Sequence, residues 1–240
     1  GEEHLEDFHH HELTDSGEDD GHFDLIETTV SHLFREPNDT LNGLTYGRLL
    51  MRQLRKLGWF TPKPHVIVEV GGGLGYLARE LGKELLPFEK QTIRYISLDI
   101  TQPFLKLQVT RAKAGGWGGI GTRANGEWLP FKDNSVDLVI DNENMADMTP
   151  VKLTRKELLD GTGDRPQHQE ALDWIRRVRL PLGTDLPEDV IFNLGPFRFV
   201  AELWRVLKPG GRAFLTEFGI EEGWPAPVKL PGHTEYEVQY

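Results

Sequence analysis

Val66-Ile67-Val68-Glu69-Val70-Gly71-Gly72-Gly73-Leu74-Gly75 decides how the rest of the chain is read. A β-branched run interrupted by one acid, then four glycines in five positions, is a buried strand entering a tight loop. The next residues, Tyr76 to Leu85, carry apolar side chains at 77, 78, 81 and 85, the spacing of one helix face. Strand, glycine loop and helix together make a cofactor cradle. Glycine lets the backbone approach a ligand, and the helix start presents N–H groups that lack intrahelical partners. A dinucleotide fingerprint counted from Gly71 needs glycine at 76, where Tyr76 stands. No Lys-Ser/Thr pair follows the glycines, which excludes a P-loop.

A chain of 240 residues suits one large α/β domain with additions. Its net charge of −11 argues against a nucleic-acid backbone as the main partner and fits a small-molecule or protein substrate. There is no cysteine, hence no disulfide framework, thiolate metal site or cysteine nucleophile. No apolar run is long enough to span a bilayer, and neither a signal peptide nor a transit peptide is read. The expectation is a cytoplasmic location with no membrane partner.

Residues 1–22 are acidic and include His4, His9, His10, His11 and His22. Imidazoles and carboxylates are both metal ligands, but low hydrophobicity favours a solvated tail, and no metal site is assigned. Residues 23–240 are taken as a single domain, with helices predicted within 23–60, at 23–34 and 46–57. The second strand, Thr92–Leu98, leads to Asp99, whose carboxylate at a strand tip can accept hydrogen bonds from ribose hydroxyls; a solvated strand end is the plainer alternative. Residues 115–121 form a glycine-rich connection, and a strand runs from about Val136 towards Asp141. Residues 151–192 read as an insertion rich in charge and proline, with a helix over 167–178 and a loop over 181–187. It is expected either to cap the ligand crevice or to be a solvated decoration. A helix over 193–207 then reaches Leu207-Lys208-Pro209-Gly210-Gly211, a turn that stops it before a last apolar strand ending near Gly219.

Taken together, the glycine loop, Asp99, the Leu129-Pro130-Phe131 turn before Asp137-Leu138-Val139-Ile140, and the Leu-Lys-Pro-Gly-Gly turn resemble class I S-adenosylmethionine (SAM) methyltransferases. The resemblance implies a doubly wound, mostly parallel Rossmann-like sheet with helices on both faces, a helical N-terminal extension and an insertion after the fourth strand. It also implies SAM as cofactor, and cofactor contacts at Glu69, Gly71, Gly72, Gly73, Gly75, Asp99, Ile100, Asn125, Gly126 and Asp141. Asn125-Gly126 stands where the family has an acid-small pair that holds adenine, and the Asn carbonyl can still accept without charge. The family ordinarily closes with two more strands. Only Glu235–Tyr240 reads as a strand there, so a shortened or atypical end is expected.

Three fragments are similar to the MidA-type protein arginine methyltransferases associated with complex I assembly. These are Tyr46–Leu54, Asn142-Glu143 and Thr216-Glu217-Phe218-Gly219. That similarity implies arginine as one candidate acceptor among nitrogen and oxygen nucleophiles. Methyl transfer needs alignment and, for some nucleophiles, a base. Glu143, read as two residues past the fourth strand, is the first candidate to hold a guanidinium or accept a proton. Asn142, Asp141 and Asp147 come next, then Glu217, His168 and His233. Asn142-Glu143 can equally cap a following helix. The competing reading is a binding or assembly protein on the same fold that lacks catalysis.

Overall fold

The run His-Val-Ile-Val-Glu-Val forms β1 (His65–Val70), buried on both faces over its last four residues, as a central parallel strand requires. The computed structural model describes residues 32–60, 65–180, 182 and 186–217. Before β1 come α1 (His32–Arg35), a 3-10 turn at Asp39–Leu41 and α2 (Tyr46–Lys56). After it follow α3 (Tyr76–Lys83), α4 (Glu89–Thr92), β2 (Ile93–Asp99), α5 (Gln102–Gly115), β3 (Ile120–Arg123) and β4 (Val136–Asn142). The chain continues through β5 (Pro150–Thr154), α6 (Arg155–Asp160), α7 (Pro166–Val178), β6 (Asp189–Asn193), α8 (Leu194–Val206) and β7 (Leu207–Thr216).

Five strands pair in parallel in the order β3-β2-β1-β4-β7. The chain builds outward from β1 through β2 to β3, then crosses back to place β4 on the other side of β1. Its switch point therefore lies between the C-terminal tips of β1 and β4, where ligands of such sheets bind. Alternation along β1 sorts the core. Ile67 packs with Leu50, Met51 and Leu54 of α2, Leu77 and Leu81 of α3, and Ala112 of α5. Val68 and Val70 pack on the opposite side with Phe199, Leu203 and Val206 of α8. Helices thus cover both faces of a Rossmann-like sheet.

The structure departs from the sequence reading in several places. Residues 150–193 are built as a β-α-α-β unit: β5 and β6 pair antiparallel and, with α6 and α7, enclose a separate cluster around Leu153, Leu172 and Phe192. Strand β5 is hard to see in sequence because its buried Val151 and Leu153 alternate with exposed Pro150, Lys152 and Thr154 over only five residues. The Lys208–Gly211 turn lies within the span of β7. Leu207 pairs with Val136, and the ladder resumes only at Arg212 opposite Leu138. Strand β4 runs through Asn142, so Glu143 is the first residue beyond it, and a 3-10 turn (Met145–Asp147) follows instead of a helix to cap. The acidic tail, most of the 23–34 helix, His233 and the Glu235–Tyr240 strand candidate lie outside the described residues. Among the described residues no helix is long and apolar enough to cross a membrane.

Candidate active site

At the tip of β1 the chain turns sharply, with the Gly71 N–H donating to the Leu98 carbonyl of β2 (3.0 Å) and the Gly75 N–H to Gly72 (2.8 Å). Gly71 has φ +61°, and a Cβ there would fall 2.0 Å from Asn144 Oδ1; at Gly75, with φ +82°, it would fall 2.6 Å from the Gln108 Cα. Both positions therefore need glycine on conformational and steric grounds. Gln108 of α5 clamps the loop to the β2 tip, donating through Nε2 to the Gly73 carbonyl (3.0 Å) and to Asp99 Oδ2 (2.6 Å). Gln108 belongs to no motif of the sequence. The signal was its place on the buried stripe of α5, shared with Phe104, Leu105 and Ala112.

Two buried carboxyls flank the switch point. Glu69 is 1% exposed, and among the described residues no hydrogen bond closes on either oxygen. Burial pushes its carboxyl up to about 7, opposed by the Tyr95 hydroxyl and reinforced by Asp99 and Asp141. The hydroxyl lies near enough to favour the ionised form yet makes no bond of normal geometry. Asp141, at the β4 tip, is 0% exposed; Oδ2 accepts from Asn144 Nδ2 at 2.8 Å and Oδ1 has no partner among the described residues. Burial raises it too to about 7, with Glu217 and Asp147 adding to the shift and Asn144 opposing it. Both groups hold a proton more tightly folded than unfolded, so their contribution to stability is lost as pH rises towards 7, from 4.5 for Glu69 and from 3.8 for Asp141. Glu69→Gln removes one of them. Its advantage over the unsubstituted chain is therefore expected to grow between pH 5 and 8 in thermal unfolding without ligand; a pH-independent difference would contradict the assignment.

The other predicted residues surround this point with their own attachments. Asp99 is buried, with Oδ1 accepting from the Thr101 N–H (2.9 Å) and hydroxyl (3.1 Å) and Oδ2 from Gln108. It is thus neither a solvated strand end nor a carboxylate with both oxygens standing open. The carbonyl of neighbouring Ile100 accepts from Arg123 Nε at 2.9 Å. Asn125 folds an Asx turn, its Oδ1 accepting from the Glu127 N–H (2.8 Å), while Gly126 packs where a Cβ would be 2.9 Å from Val70. Asn142 Oδ1 accepts from the Thr216 hydroxyl (2.9 Å), tying the β4 and β7 tips together. Glu143 adopts φ +57°, a conformation rarely held by a residue with a side chain, and its N–H donates to the Thr216 carbonyl (2.9 Å). Burial, and after it the Glu143 charge, raises the Tyr46 phenol, whose ring packs 4.9 Å from that of Phe34. Asp147 is exposed in the 3-10 turn, and Glu217 accepts from the Ala146 N–H (2.9 Å). His168 is not part of this group. It lies in the inserted unit, bonded to Glu157 (2.6 Å).

Two further arrangements escaped the sequence reading. Arg111, Arg79 and Arg35 surround the Tyr76 ring at 3.9, 4.7 and 5.9 Å from its centroid, placing positive charge beside the glycine loop. On the far side, buried Glu127 accepts from Arg198 (2.9 Å) and from the Thr149 N–H (2.9 Å), and Arg198 reaches on to Glu170 of α7 (2.6 Å).

Fold and site together define a Rossmann-like α/β protein with two buried carboxyls at its switch point. A family model described as a methyltransferase domain matches residues 68–159. No curated protein sequence matches the chain. Among solved structures, a Bacillus halodurans protein is 16% identical over 72% of this chain and 52% of its own, with a TM-score of 0.42. A SAM-dependent methyltransferase from Aquifex aeolicus is 13% identical over 73% of this chain and 68% of its own, at 0.41. The 4+2 cyclase SpnF is 17% identical over 71% of this chain and 45% of its own, at 0.42. The chain thus spans about half the length of the first and last of these proteins. Such distant likenesses do not bear on activity, and the architecture rests on the strand order itself.

Proposed function

We propose that this chain binds S-adenosylmethionine at the β1–β4 switch point and transfers its methyl group to a nitrogen or oxygen nucleophile. The observation that carries the reading is the pair of buried carboxyls, Glu69 and Asp141, which retain unbonded oxygens on either side of a glycine loop. A dinucleotide would bring its pyrophosphate charge against these acids. A cofactor with an ammonium and a sulfonium answers them instead. The arginines around Tyr76 suit the carboxylate of its methionine part, and a Cβ at Gly73 would meet nothing within 4 Å, which leaves that side of the loop open to a ligand. The donor set therefore fits the group.

When bound, this cofactor supplies a methyl already activated on sulfur, which leaves the protein to align and desolvate. The glycine loop, clamped by Gln108, fixes one partner. Asp99 and the Asn125-Gly126 turn close the ends of the crevice. Glu143, with Asp147 and Glu217 nearby, makes the mouth acidic, which favours a cationic acceptor; arginine is the candidate that agrees with the MidA-like fragments. Its carboxylate would pair with that group or take the proton it releases.

Calorimetry with SAM, S-adenosylhomocysteine and NAD tests the cofactor: micromolar binding of the first two and none of NAD is expected, on the order of 10⁻⁶ M. Absence of SAM binding ends the proposal. With a basic acceptor, Glu143→Gln is expected to slow S-adenosylhomocysteine release about 100-fold while leaving SAM affinity within about twofold. An unchanged rate would remove Glu143 from the reaction.

A further inference from the structure

We propose that Tyr95 is a positioning residue: its buried hydroxyl, with that of Ser97 beside it, keeps the Glu69 carboxylate ionised and directed at the cofactor's ammonium group. This rests on the reading of the crevice as a SAM site. The β1–β2 register pairs Glu69 with Ser97 and Ile67 with Tyr95, so Glu69, Ser97 and Tyr95 share one face of the sheet. Each is 1% exposed, and among the described residues neither Glu69 oxygen, the Tyr95 hydroxyl nor the Ser97 hydroxyl closes a hydrogen bond. Four unbonded polar atoms from three adjacent buried side chains are unusual in a folded protein, and they mark a place where partners are meant to meet.

The two sides of this pocket are fixed. Tyr95 stacks on Trp117 at 4.5 Å between centroids, and Trp117 donates through Nε1 to the Ala78 carbonyl (2.7 Å), so the phenol cannot swing away. On the loop side, Gly72 presses on the carboxylate, and a Cβ there would be 2.8 Å from Glu69 Cδ. The titratable groups that face Glu69 are Tyr95 and Asp99 on β2 and Asp141 on β4. Asp99 and Asp141 are acids with donors of their own from Thr101, Gln108 and Asn144, and when ionised they have no proton to give. That leaves the two hydroxyls as the neighbouring side-chain donors on this face of the sheet. Burial and the Glu69 charge push the Tyr95 phenol well up, which keeps it protonated throughout the working range.

The sign follows. Ionised Glu69 favours a cationic ligand, so SAM affinity falls as pH drops through the Glu69 transition; deleting the phenol hydroxyl moves that transition to higher pH. The test follows Glu69 by infrared difference spectroscopy in the full chain without cofactor, and SAM affinity by calorimetry, both from pH 5 to 9. Tyr95→Phe is expected to raise the midpoint by about 0.7 pH unit, the equivalent of one net hydrogen bond. SAM affinity should then be about threefold weaker at pH 7 and nearly equal at pH 9. Ser97→Ala should move both in the same direction and serves if Tyr95→Phe fails to fold. An unmoved midpoint in a variant that still binds SAM overturns the positioning role. A shifted midpoint in a protein that binds no SAM at any pH overturns the cofactor reading and leaves the Tyr95–Glu69 pairing standing.

Discussion

Alanine at Gly75 is expected to abolish binding of the proposed cofactor and to destabilise the fold by about 2–5 kcal/mol. Two costs combine. The residue holds φ +82°, where a Cβ is strained whatever surrounds it, and that Cβ would lie 2.6 Å from the Gln108 Cα, a main-chain atom with no rotamer to change. To make room, α5 must retreat from the loop, which breaks the Gln108 bonds to Gly73 and Asp99 together. Gly43 separates the two costs. It too has positive φ, +71°, but a Cβ there meets nothing within 4 Å, so Gly43→Ala should cost only about 1 kcal/mol and leave affinity alone. Chemical denaturation and calorimetry read both variants. SAM binding by Gly75→Ala at the unsubstituted affinity would show that the loop is not the cradle.

What the sequence made legible is what its neighbours along the chain determine. The β-branched run of β1, the glycines and the stripe on α3 are local patterns, and they correctly anticipate the strand, loop and helix at the centre of the sheet. The Leu-Lys-Pro-Gly-Gly turn is legible for the same reason, although its residues fall inside the pairing span of β7. The state of Asp99 is not local. Its oxygens are engaged by Thr101 and by Gln108, and Gln108 also reaches a carbonyl 35 residues earlier in the chain. Asn144 illustrates the same limit. Its bond to Asp141, three residues away, is local, but nothing near it in sequence says that strand order will set the same side chain against Gly71. The inserted unit differs: strands of five residues give too short an alternation to register, although the buried Val151, Leu153, Val190 and Phe192 hold the pair together.

Arg198→Ala is the other substitution with a large expected effect, about 3–5 kcal/mol of stability, because it leaves Glu127 buried without its cation. Three segments meet on this guanidinium. Nη1 donates to Glu127 on the turn that carries Asn125 and Gly126, Nε and Nη2 donate to Glu170 of the inserted α7, and the plane lies 5.1 Å from the Trp128 ring. The two acids are not equivalent. The Glu127 side chain is 2% exposed and Glu170 39%, so breaking the outer pair should cost under about 1 kcal/mol while breaking the inner one costs several times more. Glu170→Ala is therefore expected to unfold close to the unsubstituted chain and to bind SAM as tightly, whereas Arg198→Ala loosens the turn at Asn125-Gly126 and weakens binding. Adding Glu127→Gln to Arg198→Ala removes the stranded charge and should recover part of the loss, a coupling that a double-mutant cycle measures directly. Equal destabilisation by Glu170→Ala and Arg198→Ala would mean that the arginine serves mainly to hold the inserted unit. The asymmetric result would instead make it the support of the crevice's far wall, with the inserted unit attached through its more exposed side.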